Sequence, residues 1–196
     1  MAGDLVLYFA PGASSMAPHI ALHEIGVPFE ARPLSFRRDE TRQAPFLSVN
    51  PEGKVPTLLI DGRPLTEVAA ILYYLARRFP EARLFPFGDV EAEAQVVSWM
   101  SFTASTLHPA RRQGIEACMK VYALADARLG GADWAVGDYS IADIHLFRLY
   151  WRFAASLKPP VGSFPNLEAH QARMLERPAV KRTLEIEAAL GYELPA

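Results

Sequence analysis

Four short stretches of this chain carry groups able to do chemistry: the hydroxyls of Ser14 and Ser15 before the first helix, the segment Asn50-Pro51-Glu52-Gly53-Lys54-Val55-Pro56, the pair Glu67-Val68, and His108. An X-Pro bond is the one peptide linkage whose cis form is cheap, about 0.5 to 1 kcal/mol above trans against about 2.5 to 4 elsewhere. A cis bond at Val55-Pro56 would turn the main-chain N–H and C=O of Val55 outward, where an extended peptide can pair with them as an added strand. A trans proline entering a strand is the plain alternative. Glu67 falls at the first turn of a helix, a poor place to meet an anion and a good one to meet an ammonium group. The N–H groups of that turn, Val68 included, can hold an adjacent carboxylate. Together they suit the zwitterionic end of an amino acid. An acid that only complements the helix dipole would need no ligand. Taken alone, Lys54 is a solvated surface charge, the two serines are an N-cap and a loop residue, and a histidine before Pro109 ends a helix.

The elements that must position these groups follow from periodicity. Leu5 to Phe9 is an apolar run of strand formers that must turn at Ala10-Pro11-Gly12. Met16, Ile20, Leu22 and Ile25 share a helical face, Pro18 is tolerated in the first turn, and Gly26 closes the helix. A second strand is predicted over Phe29 to Leu34, and Arg37 to Ser48 is a loop or short helix. Thr57 to Ile60, the hairpin signal Asp61-Gly62 and the return strand Arg63 to Leu65 come next. Thr66 is expected to cap a helix through Val68, Ile71, Leu72 and Leu75 that Pro80 stops.

Pro80, Pro86 and Gly88 mark a linker, beyond which only helical periods occur. One long helix is predicted over Val90 to Leu107 with a kink or break at Pro109, and another over Gln113 to Leu129. Ser140 and Asp143 form a capping box for a third. Helices from Phe164 to Pro178 and from Ala179 to Ala189 complete the chain. Trp99, Phe102, Tyr150, Trp151 and Phe153 are core residues or the wall of an apolar pocket.

Composition excludes several classes of function. Half of the 196 residues are hydrophobic, so a substantial core can form. No apolar run approaches the eighteen or so residues of a membrane span, and the N-terminus lacks a secretory signal's basic flank, so a cytoplasmic protein is expected. A net charge of -2 with interspersed signs offers no stripe for nucleic acid. Cys118 is the only cysteine, so neither an internal disulfide nor a cysteine zinc site can form. His19, His23 and His145 lack companions at metal-ligand spacing and read as structural, and no metal is expected.

The run Asn-Pro-x-Gly-Lys-Val-Pro ahead of a strand, followed by Leu65-Thr66-Glu67, resembles the glutathione-binding half of glutathione S-transferases. Pro11 to Ile20, Trp99 to His108, Gly137 to Leu146 and Arg173 to Pro178 extend the resemblance over nearly the whole chain, closest to the bacterial beta class. The resemblance implies an α/β thioredoxin-like domain over 1–80 (βαβ-αββα, with cis Pro56) that binds glutathione. It further implies an all-α domain over 90–196 that contributes the second-substrate pocket. The γ-glutamyl end would meet Glu67 and the Val68 backbone, the cysteinyl part Val55 beside Pro56, and the glycyl end Lys54. His108 becomes a proton acceptor or substrate contact as well as a helix terminator. A homodimer is implied too.

The chain departs from its relatives at the activating residue. Ser14 stands where beta-class members carry a cysteine, and Phe9 where others carry a tyrosine, while Tyr8 would point to the opposite face. Ser14 and Ser15 are then the candidate donors to a glutathione thiolate. Lowering a thiol pKa from about 8.5 by two units takes about 2.7 kcal/mol. One hydrogen bond to a charged group supplies about 1.5 to 3 kcal/mol and a helix start about 0.3 to 1, which suffices narrowly. The expected activity is conjugation of glutathione, as co-substrate, to a small apolar electrophile. A non-catalytic protein for glutathione or hydrophobic ligands is the alternative. Thiol oxidoreductase chemistry is disfavoured by Ser14, because exchange needs a thiolate. The stretch from His108 to Trp134 is shorter than in typical beta-class relatives, which bears on the pocket's shape.

Overall fold

Leu5, Leu7 and Phe9 of the first strand, β1 (Leu5–Phe9), are buried on one side, while Val6 and Tyr8 are half-buried on the other, as the pleat requires. In the computed structural model, which describes residues 4–193, β1 lies inside a four-stranded sheet ordered β2-β1-β3-β4. β2 (Glu30–Pro33) runs parallel to β1, reached through helix α1 (Met16–Ile25); β3 (Thr57–Ile60) and β4 (Arg63–Thr66) run antiparallel. Asp61 and Gly62 join β3 to β4 with φ of 49° and 77°, the positive values a two-residue hairpin turn demands. The segment after β2 forms a 3₁₀ turn at Glu40–Arg42 and a one-turn helix, α2 (Ala44–Leu47). Helix α3 (Val68–Arg78) completes a thioredoxin-like arrangement.

Thr66 does not cap α3. It closes the β4 ladder opposite Thr57, and Glu67 makes the bend with φ of 69°, its carbonyl accepting from Ile71 N–H at 3.0 Å.

Contacts divide the chain at Leu75 and Arg177, and the residues from Pro178 onward group with the sheet. The reading of 90–196 as one helical domain therefore ran too far at its C-terminal end. Helix α9 (Pro178–Leu190) buries Val180, Thr183 and Glu187 on one face and packs on α1. Helical spacing reveals which face is buried but not its partner, and here the partner lies some 170 residues upstream.

The second unit holds the remaining helices. Asp89 caps α4 (Val90–Phe102) by accepting from Ala92 N–H at 3.0 Å. The predicted break at Pro109 is instead a change of winding. A π turn at Thr103–Leu107 runs into the short helix α5 (His108–Ala110), and the chain breaks only at Gly114, with φ of 95°. Proline lacks the N–H that an α-helical register would use, and Thr103 Oγ1 donates back to carbonyls of the preceding turn, so a wider turn absorbs both.

Of helices α6 (Ile115–Leu129), α7 (Ile141–Leu157) and α8 (Pro165–Glu176), α8 packs against both α6 and α7, and α7 also packs against α4. The capping box forms as predicted: Ser140 Oγ accepts from Ala142 N–H at 3.2 Å and Asp143 Oδ2 from Ser140 N–H at 2.9 Å. Asp143 Oδ1 also accepts from Ala135 N–H at 2.8 Å and meets His170 Nε2 at 3.0 Å, so one buried carboxylate ties three segments together. Among the described residues, no helix is long and apolar enough to cross a membrane.

Candidate functional site

Strand register brings the sequence-predicted groups of the first unit to one edge of the sheet. Tyr8 pairs with Thr57 and Thr57 with Thr66. The loop leaving β1 toward Ser14, the Val55-Pro56 step entering β3, and Glu67-Val68 leaving β4 therefore start from neighbouring strand ends. The Val55-Pro56 bond is cis.

The loop before Pro56 is held by side chains that motif reading passed over. Asn50 Nδ2 donates to Lys54 O at 2.9 Å and to Thr57 Oγ1 at 3.0 Å, and its Oδ1 accepts from Glu52 N–H at 3.1 Å. Asn50 and Thr57 are both buried. Gly53 has φ of 62°, and a Cβ there would lie 2.6 Å from Thr41 O, so glycine is required. The Asn-Pro-x-Gly pattern is thus a signal for a folded loop. Lys54 is exposed and pairs with Glu52 at 2.9 Å.

Ser14 and Ser15, adjacent in sequence, have opposite fates. Ser14 is half-buried, and its hydroxyl donates to Val55 O at 3.1 Å. Ser15 is fully buried; its Oγ accepts from Ala10 N–H at 3.1 Å and donates to Ala10 O at 3.2 Å. This corrects the expectation that either serine can serve: the Ser15 hydroxyl stabilises the turn after β1 and does not reach the surface. Phe9 is buried, and the Tyr8 hydroxyl accepts from Arg32 Nη1 at 2.8 Å, so no tyrosine stands in for Ser14.

The Ser14 loop is anchored from the far end of the chain. Glu187, fully buried on α9, accepts from Gly12 N–H at 2.7 Å and meets His19 Nδ1 at 2.9 Å. His19 is therefore structural, but with a carboxylate partner that spacing did not reveal. The His23 ring lies tilted against it with centroids 5.0 Å apart, and its pKa is pushed down to about 4, by burial first and then by its neighbours His19 and Arg182. Glu67 is exposed and Val68 buried.

His108 and Cys118 belong to the helical unit. Desolvation by the protein around its ring, then the charges of Arg148 and Arg112, hold the His108 imidazole pKa below its ordinary value. Cys118 is buried, and that burial raises its thiol pKa against the opposing pull of Arg111. A thiol so placed is a poor nucleophile. Of the predicted aromatics, Trp99, Tyr150 and Phe153 are buried in this unit's core. No cluster of metal-ligating side chains occurs among the described residues.

Residues 3–77 match the glutathione S-transferase N-terminal domain family and residues 93–178 its C-terminal domain family. The chain belongs to the glutathione S-transferase family. It is 33% identical to glutathione S-transferase GST-4.5 of Xanthomonas campestris, over 92% of this chain and 98% of that protein. Among solved structures, a sphingomonad glutathione S-transferase complexed with glutathione superposes with a TM-score of 0.83 at 35% identity, covering 93% of this chain and 98% of the other. A bacterial beta class transferase of Sphingomonas chungbukensis gives 0.81 at 34% identity, with the same coverage. The family match spans both units and leaves the role of each site residue to the geometry described above.

Proposed function

We propose that the protein binds glutathione at the sheet edge and conjugates its thiolate to a small electrophile with an apolar body, acting as a cytoplasmic homodimer. The observation that carries this reading is the convergence of the Ser14 loop, the cis Val55-Pro56 step and Glu67-Val68 on one end of the sheet. Glu67 would take the γ-glutamyl ammonium, the Val68 N–H its carboxylate, Val55 the cysteinyl main chain, and Lys54 the glycyl carboxylate. Ser14 would donate its hydroxyl to the sulfur. Its proton already lies on Val55 O, so the hydroxyl must rotate toward the thiolate when glutathione binds. A carbonyl oxygen has two lone pairs and loses little, since a ligand N–H replaces the hydroxyl. His108 would accept a proton or contact the second substrate.

The test is conjugation of 1-chloro-2,4-dinitrobenzene with the absorbance of the bound thiolate followed against pH. Ser14→Ala should lower the rate about tenfold and raise the bound thiol pKa by about one unit, the effect of losing one charge-assisted hydrogen bond. An unchanged rate and an unchanged thiol pKa would remove Ser14 from the mechanism.

The same hydrogen bond favours a second reading, a protein that holds glutathione without turnover. Glutathione affinity by calorimetry, combined with no conjugation across varied electrophiles, would establish it. Thiol exchange is the weakest reading, because Ser14 replaces the needed cysteine and Cys118 is buried.

A further inference from the structure

The loop that leaves β2 is held largely by side chains. The N–H groups of Ser35, Arg37 and Arg38 donate to a Glu40 oxygen at 2.7 Å, a Glu193 oxygen at 2.9 Å and the Ser35 hydroxyl at 3.1 Å. Of these acceptors only Glu193 is distant in sequence. Its Oε2 takes the Arg37 N–H, and its Oε1 accepts from the buried Ser35 hydroxyl at 2.7 Å. These donors, Arg37 first and Ser35 second, favour the charged form and hold the Glu193 carboxyl below the ordinary carboxylate range.

A turn after α9 brings Glu193 to this loop. Gly191 has φ of 84° and its N–H bonds to Ala188 O, while the Tyr192 hydroxyl donates to Leu184 O at 3.1 Å and ties the segment back onto the helix. The other end of the loop presses on the motif segment. Arg42 Nη1 donates to Glu52 O at 3.1 Å, and buried Thr41 backs Gly53 so closely that a Cβ there has no room. A run of contacts thus leads from Glu193 through residues 35–42 to the residues just before Val55 and cis Pro56. All of it lies within the sheet unit. Glu187 and Glu193 each take main-chain N–H from a different loop of the candidate site, Gly12 for the first and Arg37 for the second.

We propose that Glu193 is a positioning residue: it latches the 35–42 loop against the Gly53 loop and presets the Val55 main chain for its peptide ligand. The latch is a property of the sheet unit alone; its effect on affinity rests on the glutathione reading above. A loop fixed before binding spares the ligand the cost of ordering it, so the benefit appears in affinity and not in the chemical step. Linkage makes the effect reciprocal, and bound glutathione should in turn protect the Arg37 N–H from exchange.

Amide hydrogen exchange of the full chain without ligand tests the latch. Glu193→Ala should speed exchange about tenfold over residues 35–42, the loss of one charge-assisted contact, and about threefold over residues 50–55, with α7 unchanged. Glu193→Gln keeps one acceptor oxygen and should fall between, and it carries the test if the alanine variant does not fold. Calorimetry and conjugation kinetics then test the site. Glu193→Ala should raise the Kd and the KM for glutathione about fivefold and leave kcat unchanged, a split that general loss of folded protein would not produce. Faster exchange confined to residues 35–42, or an unchanged Kd in a protein whose wild type binds glutathione, would overturn the proposal. A wild-type chain that binds no glutathione would reject the transferase reading instead, and exchange over residues 50–55 would decide the latch by itself.

Discussion

The two units bring together different kinds of chemical group. At one end of the sheet lie a main-chain carbonyl, a helix start, a half-buried hydroxyl and an exposed acid. In the helical unit two arginines, Arg148 and Arg152, are buried. The first region is costly to build and cheap to hold: its loop depends on buried Asn50, on Gly53 in a left-handed conformation and on Glu187 reaching across from α9. The second is simple to build, since helices position long side chains without special backbone. A site made of backbone must be held by a supporting network.

The sharpest way to break that comparison is to remove the support of the first region. Glu187→Ala leaves Gly12 N–H and His19 buried without their carboxylate, and breaking a buried pair costs about 3 kcal/mol or more. Urea unfolding should show the loss, and an undiminished midpoint would mean the network is not what anchors the loop. Gly53→Ala comes next. The left-handed backbone and the 2.6 Å approach to Thr41 O should together cost about 2 kcal/mol and raise the glutathione Kd, since the loop cannot shift without moving Val55. Wild-type affinity in this variant would contradict the loop's role.

A smaller effect separates the two serines. Ser15→Ala should lower stability by about 1 to 2 kcal/mol by leaving the buried Ala10 N–H unpaired, with the bound thiol pKa unmoved. Ser14→Ala should do the reverse. A shifted thiol pKa in the Ser15 variant would return that residue to the site.

The smallest effect probes the charged region. His145 is fully enclosed on α7, beside Thr103, and burial first, then Arg148 and His108, push it down to about 3. Its folded-state pKa lies below the unfolded value of about 6.5. Stability is therefore unaffected by this group above that value and falls as pH drops from about 6.5 toward 3, because only the unfolded chain takes the proton. Between pH 6.5 and 5.5 the loss should be about 1 kcal/mol, read as the wild-type change in urea unfolding free energy minus that of His145→Gln. Equal pH dependence in the two proteins would show that the ring is not held neutral.

Much of this protein was legible in order of residues. The strand of Leu5 to Phe9, the Asp61-Gly62 turn, the Ser140-Asp143 capping box and the loop motif at Asn50 to Pro56 were all readable because each is a local arrangement. Its geometry is dictated by neighbours within a few positions. Local reading failed where a distant partner decided. Thr66 has the chemistry of a cap, yet its ladder with Thr57 claims it. Ser14 and Ser15 are interchangeable as letters, and only the turn after β1 decides which hydroxyl is interior. The periodicity of α9 was visible, but not that its buried glutamate completes the loop below Ser14.

By itself, the order of amino acids determined the elements, the family and the turn-bound half of the candidate site, since propensity, proline and glycine geometry and hydrophobic period act over short separations. Only tertiary structure decided what Glu187, Ser15 and Glu193 do. Hydrogen bonding and desolvation depend on what stands a few ångströms away in space, and for these residues those neighbours come from other elements.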